Sequence, residues 1–239
     1  MIGCKKINSD IMKIIFLLII IIIFIIAYNE NNISMNFHVP SSQIWGIDLS
    51  HHQGNVNWAL ISEQKPHFVF LKATEGTSHI DTKYHSFKRN AKHHSIKTGS
   101  YHFFNFNKDG RVQAHFFCSI ADVKQGELPP VLDVETSGNN VPSREKVTFE
   151  ILEFIAAVES NTGVKPIIYC NRRFYNKYLK NYLEQDYPLW ICDYNKKPNG
   201  NWLFWQKTDK HKLRGIKGNV DLNYFNGDKE MLRKIIIAG

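Results

Sequence analysis

Between residues 44 and 222, eight short segments rich in β-branched and aromatic residues alternate with stretches of helix length. The segments are Ile44–Leu49, Phe68–Ala73, Gly99–Phe103, Val131–Glu135, Ile167–Cys170, Leu189–Asp193, Leu203–Gln206 and Asn219–Leu222. Trp58–Gln64, Lys83–His94, Arg111–Ala121, Ser143–Asn161 and Arg172–Leu183 separate the first six. In the fourth of these, Val147, Ile151, Phe154, Ile155 and Val158 recur at helical spacing. Alternating strand and helix predicts a parallel sheet, and eight strands let that sheet close. The last two connections, Tyr194–Trp202 and Lys207–Gly218, are too short for crossover helices. The expected α/β fold is therefore an irregular (β/α) TIM-like barrel with eight strands and about five intervening helices.

The polar residues fit the same picture. Asp48 ends the first segment, Glu75 follows the second, and His102 ends the third. Asp133 and Glu135 end the fourth, Tyr169 and Asn171 the fifth, Asp193 the sixth, Gln206 the seventh and Asp221 the eighth. In a parallel barrel all those ends meet at one mouth, where the active site of such a fold lies. Tyr101, Phe103, Tyr169, Trp190 and Tyr194 fall at or near the same ends. Their rings suit the apolar C–H faces of sugars.

Pro129-Pro130-Val131-Leu132-Asp133-Val134-Glu135-Thr136 carries the most chemistry. In a strand, Asp133 and Glu135 share one face while Leu132 and Val134 take the other. Two carboxylates held close in a partly dry site cannot both ionise easily, so one keeps its proton toward neutral pH. General-acid cleavage of a glycosidic bond needs such a proton donor. Asp48, between Ile47 and Leu49, and Asp221, between Val220 and Leu222, repeat the alternation. The first and eighth strands adjoin in a closed barrel, so these two acids are expected to face each other at the seam.

The N-terminal region is of another kind. Ile14–Ala27 is an unbroken apolar run preceded by Lys5, Lys6 and Lys13, with one acid, Asp10, among them. A basic flank and an apolar stretch address a chain to the export machinery. Fourteen residues suit a signal peptide, and counting from Ile11 to Tyr28 makes a retained anchor equally open. The expected organisation is a signal peptide or membrane anchor at 1–28, a linker at 29–42 and a barrel at 43–239. The barrel is then membrane-anchored outside the cytoplasm, or secreted after cleavage. Cys118, Cys170 and Cys192 are expected as small buried hydrophobes, with a Cys170–Cys192 bridge left open.

The balance of 30 Lys and Arg against 22 Asp and Glu gives a net charge of +8. That excess suits an anionic polymer. The lysines are dispersed and no nucleic-acid-binding module is present, so no nucleic-acid partner is expected. The doublets His51-His52 and His93-His94 lack metal-ligand spacing, and neither a metal nor a cofactor is expected. A monomer is the expected state.

The ordered set Gly46-Ile47-Asp48-Leu49-Ser50-His51-His52-Gln53-Gly54, Phe70-Leu71-Lys72-Ala73-Thr74-Glu75-Gly76, Gly99-Ser100-Tyr101-His102-Phe103, Val131-Leu132-Asp133-Val134-Glu135, Ile168-Tyr169, Leu189-Trp190, Trp205-Gln206 and Val220-Asp221-Leu222-Asn223 resembles glycoside hydrolase family 25. The resemblance runs from about Ile44 to Phe225. It implies a lysozyme that cleaves the β-1,4 bond after N-acetylmuramic acid in peptidoglycan. Glu135 matches the general acid, and Asp133, Asp48 and Asp221 match the other active-site carboxylates. The substrate-binding expectations are Tyr101, Phe103, Tyr169, Trp190, Asp193, Gln206 and Glu75. A barrel that binds peptidoglycan without cutting it is the alternative.

Overall fold

The computed structural model describes residues 43–136, 141–183 and 187–237. The expected N-terminal segment and linker lie outside these residues. The strands are β1 (Trp45–Leu49), β2 (Phe68–Glu75), β3 (His79–Ile80), β4 (Lys97–Phe103), β5 (Val131–Asp133), β6 (Ile167–Asn171), β7 (Leu189–Cys192), β8 (Phe204–His211) and β9 (Val220–Phe225). Eight of them close a barrel, with β1 paired to both β2 and β9, while β3 is a short antiparallel partner of β2. The helices are α1 (Trp58–Glu63), α2 (Tyr84–His93), α3 (Gly110–Ala121), α4 (Arg144–Thr162), α5 (Arg172–Phe174), continued by a wide turn at Tyr175–Leu179, and α6 (Lys229–Lys234). None of the described helices is long and apolar enough to cross a membrane.

Strands covered on both faces must be apolar on both, which is why the segments read as nearly continuous hydrophobic runs. One set of alternate residues, including Ile47, Leu71, Leu132, Ile168, Ile191 and Leu222, packs outward with the helices. The other set, including Ile44, Phe68, Phe70, Val131, Ile167, Trp190, Phe204 and Phe225, fills the lumen. Two glycines make room for this filling. A Cβ on Gly46 would lie 2.3 Å from the Phe68 carbonyl oxygen, and one on Gly99 would lie 2.4 Å from the Phe70 ring. Leu232 of α6 joins the same lumen cluster. The barrel is therefore plugged by aromatic rings, and its polar side chains are confined to one end.

Most helix starts follow from side-chain caps. Asp109 accepts from the Val112 N–H, Ser143 from Lys146, and Asn171 from Phe174.

The structure corrects several expectations. β9 is antiparallel to both β1 and β8, so the sheet is not wholly parallel. Only residues 212–219 join β8 to β9, too few for a crossover helix but suited to a return hairpin. Asp221 therefore lies near the start of its strand, and the reversed direction still carries it to the mouth. β5 ends at Asp133, although the Val134 N–H still bonds the Tyr169 carbonyl at 3.0 Å and keeps Glu135 alongside. His102 faces away from the lumen: its ring stacks on Phe154 at 5.0 Å and bonds Thr74 and Gln113. Burial pushes its imidazole down to about 3, so it stays neutral. Asn171 is spent on capping α5. Cys118, Cys170 and Cys192 are all free thiols. Cys170 packs outward and Cys192 sits against the lumen cluster, so neighbouring strands aim them to opposite faces and no bridge forms.

One irregularity matters for the site. The β2–β4 register runs Lys72↔Tyr101, then Thr74↔His102 and Glu75↔Phe103, so Ala73 is an extra residue. A bulge of one residue inverts the alternation beyond it. Thr74 consequently turns outward to His102, and Glu75 returns to the same side as Lys72.

Candidate active site

The polar end of the lumen is a cleft lined by Asp48, Ser50, His52, Gln53, Lys72, Tyr101, Phe103, Asp133, Glu135, Tyr169, Trp190, Tyr194, Gln206 and Asp221. Nine of the eleven residues expected at the site from sequence meet there. The other two do not line it. Glu75 bonds the Lys72 ammonium at 2.7 Å with its side chain 42% exposed. The Asp193 carboxylate accepts the N–H groups of Asn195 and Lys196, fixing the loop that carries Tyr194.

Asp48 and Asp221 are direct partners across the β1–β9 seam. A chain of hydrogen bonds shows which of them carries charge. The Trp190 indole is a donor only, so the oxygen of the Asn223 amide must face it, and it does at 3.0 Å. The Asn223 nitrogen is thereby turned to Asp48 Oδ2, 2.7 Å away. Gln206 repeats the logic: its oxygen accepts from the hydroxyls of Tyr169 at 2.8 Å and Tyr194 at 3.0 Å, and its nitrogen donates to Asp48 Oδ2 at 3.2 Å. Asp48 is thus held as an acceptor. Burial raises its proton affinity, and the bonds from Asn223 and Gln206 oppose that rise. Among the described residues Asp221 has no such amide donors. Burial and the Asp48 charge push it up to about 9, and it gives its proton to Asp48.

Asp133 and Glu135 stand on the adjoining side of the cleft. Burial, then the Glu135 and Asp48 charges, hold Asp133 well above the ordinary carboxylate range. Its Oδ1 is buried without a hydrogen-bond partner among the described residues. Glu135 is raised too, by burial first, and the Tyr169 hydroxyl beside it donates its proton to Gln206. It is the more accessible of the two, since Asp133 is only 8% exposed.

Trp190 and Tyr169 form the floor, the former stacked on Phe70 at 4.6 Å and crossed by the latter at 4.7 Å. Tyr101 and Phe103 are half-exposed on the wall, and Tyr194 is 44% exposed at the rim. Sequence reasoning missed Lys72 and Asn223. The alternation Phe68, Phe70, Lys72 marked the lysine as lumen-facing, and Asn223 stands two residues beyond Asp221, on its face. Among the described residues no group of three or more His, Cys, Asp or Glu could hold a metal.

A protonated Asp221 ties stability to pH. Its affinity is raised from 3.8 to about 9, so its contribution is complete below pH 4 and is lost as pH climbs through 9. Asp221→Asn, which cannot ionise, is expected to raise the melting temperature relative to the parent at pH 9 and to leave it nearly unchanged at pH 4. Melts at the two pH values check this, and equal effects at both would contradict it.

Fold and site together define a barrel enzyme of the glycoside hydrolase class: carboxyls of differing proton affinity face one another in an aromatic cleft. The chain belongs to glycosyl hydrolases family 25, whose family model matches residues 47–216. It is 30% identical over 208 residues to lysozyme M1 of Streptomyces globisporus, covering 80% of this chain and 71% of that protein. The structure of a family 25 glycosyl hydrolase from Bacillus anthracis superposes with a TM-score of 0.77 at 34% identity, covering 84% of this chain and 96% of that one. A bacterial lysozyme from Streptomyces coelicolor gives 0.75 at 29% identity, with 82% and 98% covered.

Proposed function

We propose that this chain is a lysozyme that hydrolyses the β-1,4 bond between N-acetylmuramic acid and N-acetylglucosamine in peptidoglycan. The gathering of Asp48, Asp133, Glu135 and Asp221 at one mouth, in a member of this family, carries the reading. Glu135 donates a proton to the leaving glycosidic oxygen. It is raised enough to hold that proton and open enough to reach the bond. Asp133, deeper and more strongly protonated, keeps a second negative charge from forming beside it. As the sugar ring gains positive charge, Asp48 faces it as a fixed anion, already hydrogen-bonded and needing no reorganisation. Asp221 supplies the proton that holds Asp48 in place.

Tyr101 and Phe103 offer ring faces to the sugars, above a floor of Tyr169, Trp190 and Gln206. Glu75 acts through Lys72, and Asp193 through the loop of Tyr194. The basic flank and apolar run at the N-terminus support a barrel outside the cytoplasm, secreted or held at the membrane. There it works as a monomer, drawn to an anionic wall by its excess of Lys and Arg over Asp and Glu.

Mass spectrometry of fragments released from purified peptidoglycan tests the reading. New reducing ends that are all N-acetylmuramic acid are expected. Reducing-end N-acetylglucosamine, or no release at all, would overturn it.

A further inference from the structure

We propose that Lys72, clamped by Glu75 on the lumen face of β2, is a positioning residue that holds a positive charge against both Asp133 and Glu135 and so fixes the pH range of catalysis. This rests on the assignment of Glu135 as the acid.

Lys72 is unusual for its place. Its side chain is only 9% exposed, and a buried ammonium is costly unless the site uses it. Among the described residues Glu75 is its one hydrogen-bond partner, at 2.7 Å, although the ammonium has three protons. Nζ also lies 4.7 Å from the centroid of the Phe103 ring, and Phe103 is the strand partner of Asp133. The ammonium is thus held on the cleft wall beside the acid pair.

The bulge at Ala73 builds this arrangement. In a regular strand Lys72 and Thr74 would share the lumen side and Glu75 would point away. The extra residue instead brings Glu75 back toward Lys72 and sends Thr74 out to His102. A strand irregularity that pairs an acid with a lysine at the cleft wall, and leaves the lysine in the cleft, couples the rim to its interior.

The groups around Lys72 are mostly acids. Asp48 approaches from β1, Asp221 from β9, Asp133 from β5, Glu135 from just beyond it, and Glu75 from β2 itself, with the phenols of Tyr101, Tyr169 and Tyr194 and the His52 ring completing the wall. His102 lies behind on the outer face. The ammonium opposes the effect of burial at both Asp133 and Glu135. Without it both would keep their protons to higher pH. Glu75, sharing the ammonium, weakens that action, so the two residues work in opposite directions on one pair of acids.

That opposition supplies the test: pH profiles of kcat/KM on peptidoglycan for the parent, Lys72→Met, Lys72→Arg and Glu75→Gln, with thermal melts alongside. Lys72→Met should move the alkaline limb of the profile, set by ionisation of Glu135 and Asp133, to higher pH by about one unit, and leave the acid limb, set by Asp48, in place. Lys72→Arg should restore the alkaline limb, and Glu75→Gln should move it the other way by a smaller amount, because its carboxylate is half in solvent. An unmoved alkaline limb in Lys72→Met, with only KM raised or the melting temperature lowered, would reduce Lys72 to a substrate ligand or a packing residue and end the proposal. So would a Glu75→Gln shift of the same sign. If Lys72→Met fails to fold, Glu75→Gln still decides by the direction of its shift. Should Glu135→Gln stay active, the assignment of the acid fails, whatever the limbs do.

Discussion

Glu135→Gln abolishes lysis of peptidoglycan while the barrel stays folded. The amide matches the carboxyl in shape and keeps a hydrogen bond for Tyr169, yet it has no proton to give the leaving oxygen. Loss of a general acid costs about 10²–10⁴ in rate. A loss near the upper end is expected here, because the leaving sugar alkoxide is a poor leaving group without protonation. Turbidity assays on purified walls measure it, and an unchanged melting temperature shows that the loss is chemical. Binding of the glycan should survive in this variant, since Tyr101, Phe103 and the floor are untouched. Residual activity within tenfold of the parent would sink the assignment.

Phe70→Ala is expected to have the largest effect on stability. Phe70 is completely buried in the lumen, stacked on Trp190 and in edge contact with Phe68 and Phe204. Removing a buried phenylalanine costs about 3–5 kcal/mol, against a total stability of about 5–15 kcal/mol. The cavity cannot collapse easily, because Gly99, whose backbone lies against the Phe70 ring, has no side chain to move into it. The melting temperature should fall by roughly 10 °C. Activity should fall as well, at temperatures where the variant is still folded. The face of Trp190 that rests on Phe70 loses its support, and Trp190 is what orients Asn223 toward Asp48. Calorimetry and wall turbidity on the same sample separate the two effects. A fall of under 1 kcal/mol with full activity would show that the lumen aromatics do not support the site.

The barrel and its acids were readable in the sequence because both rest on the simplest periodicity of a chain. Asp48 between Ile47 and Leu49, and Asp133 and Glu135 beside Leu132 and Val134, state their faces by alternation alone. The same rule set His102 apart from Tyr101 and Phe103, and counting strand ends rather than faces obscured it. The direction of β9 was hidden for a related reason: an alternating strand reads the same whether it runs up or down. The shortness of Lys207–Gly218 was its signal. Asp48 and Asp221 face each other as expected, but through antiparallel pairing. The Lys72–Glu75 clamp could not be read at all, because it depends on one extra residue that inverts the alternation within an otherwise ordinary strand. The amide network around Asp48 was equally silent. It joins Asn223, Gln206, Trp190 and two tyrosines from four strands and the loop after β7, and only their assembly gives each amide its orientation.

The reversed last strand has a practical corollary. Because β9 runs against β1, the barrel's first strand begins where its last one ends: the Phe225 N–H bonds the Ile44 carbonyl at 2.9 Å. The chain therefore enters and leaves the barrel on the side away from the cleft. A linker to a bead, a surface or a fused module, attached before β1 or after α6, would hold the enzyme by its base and leave its working opening turned toward the material to be digested.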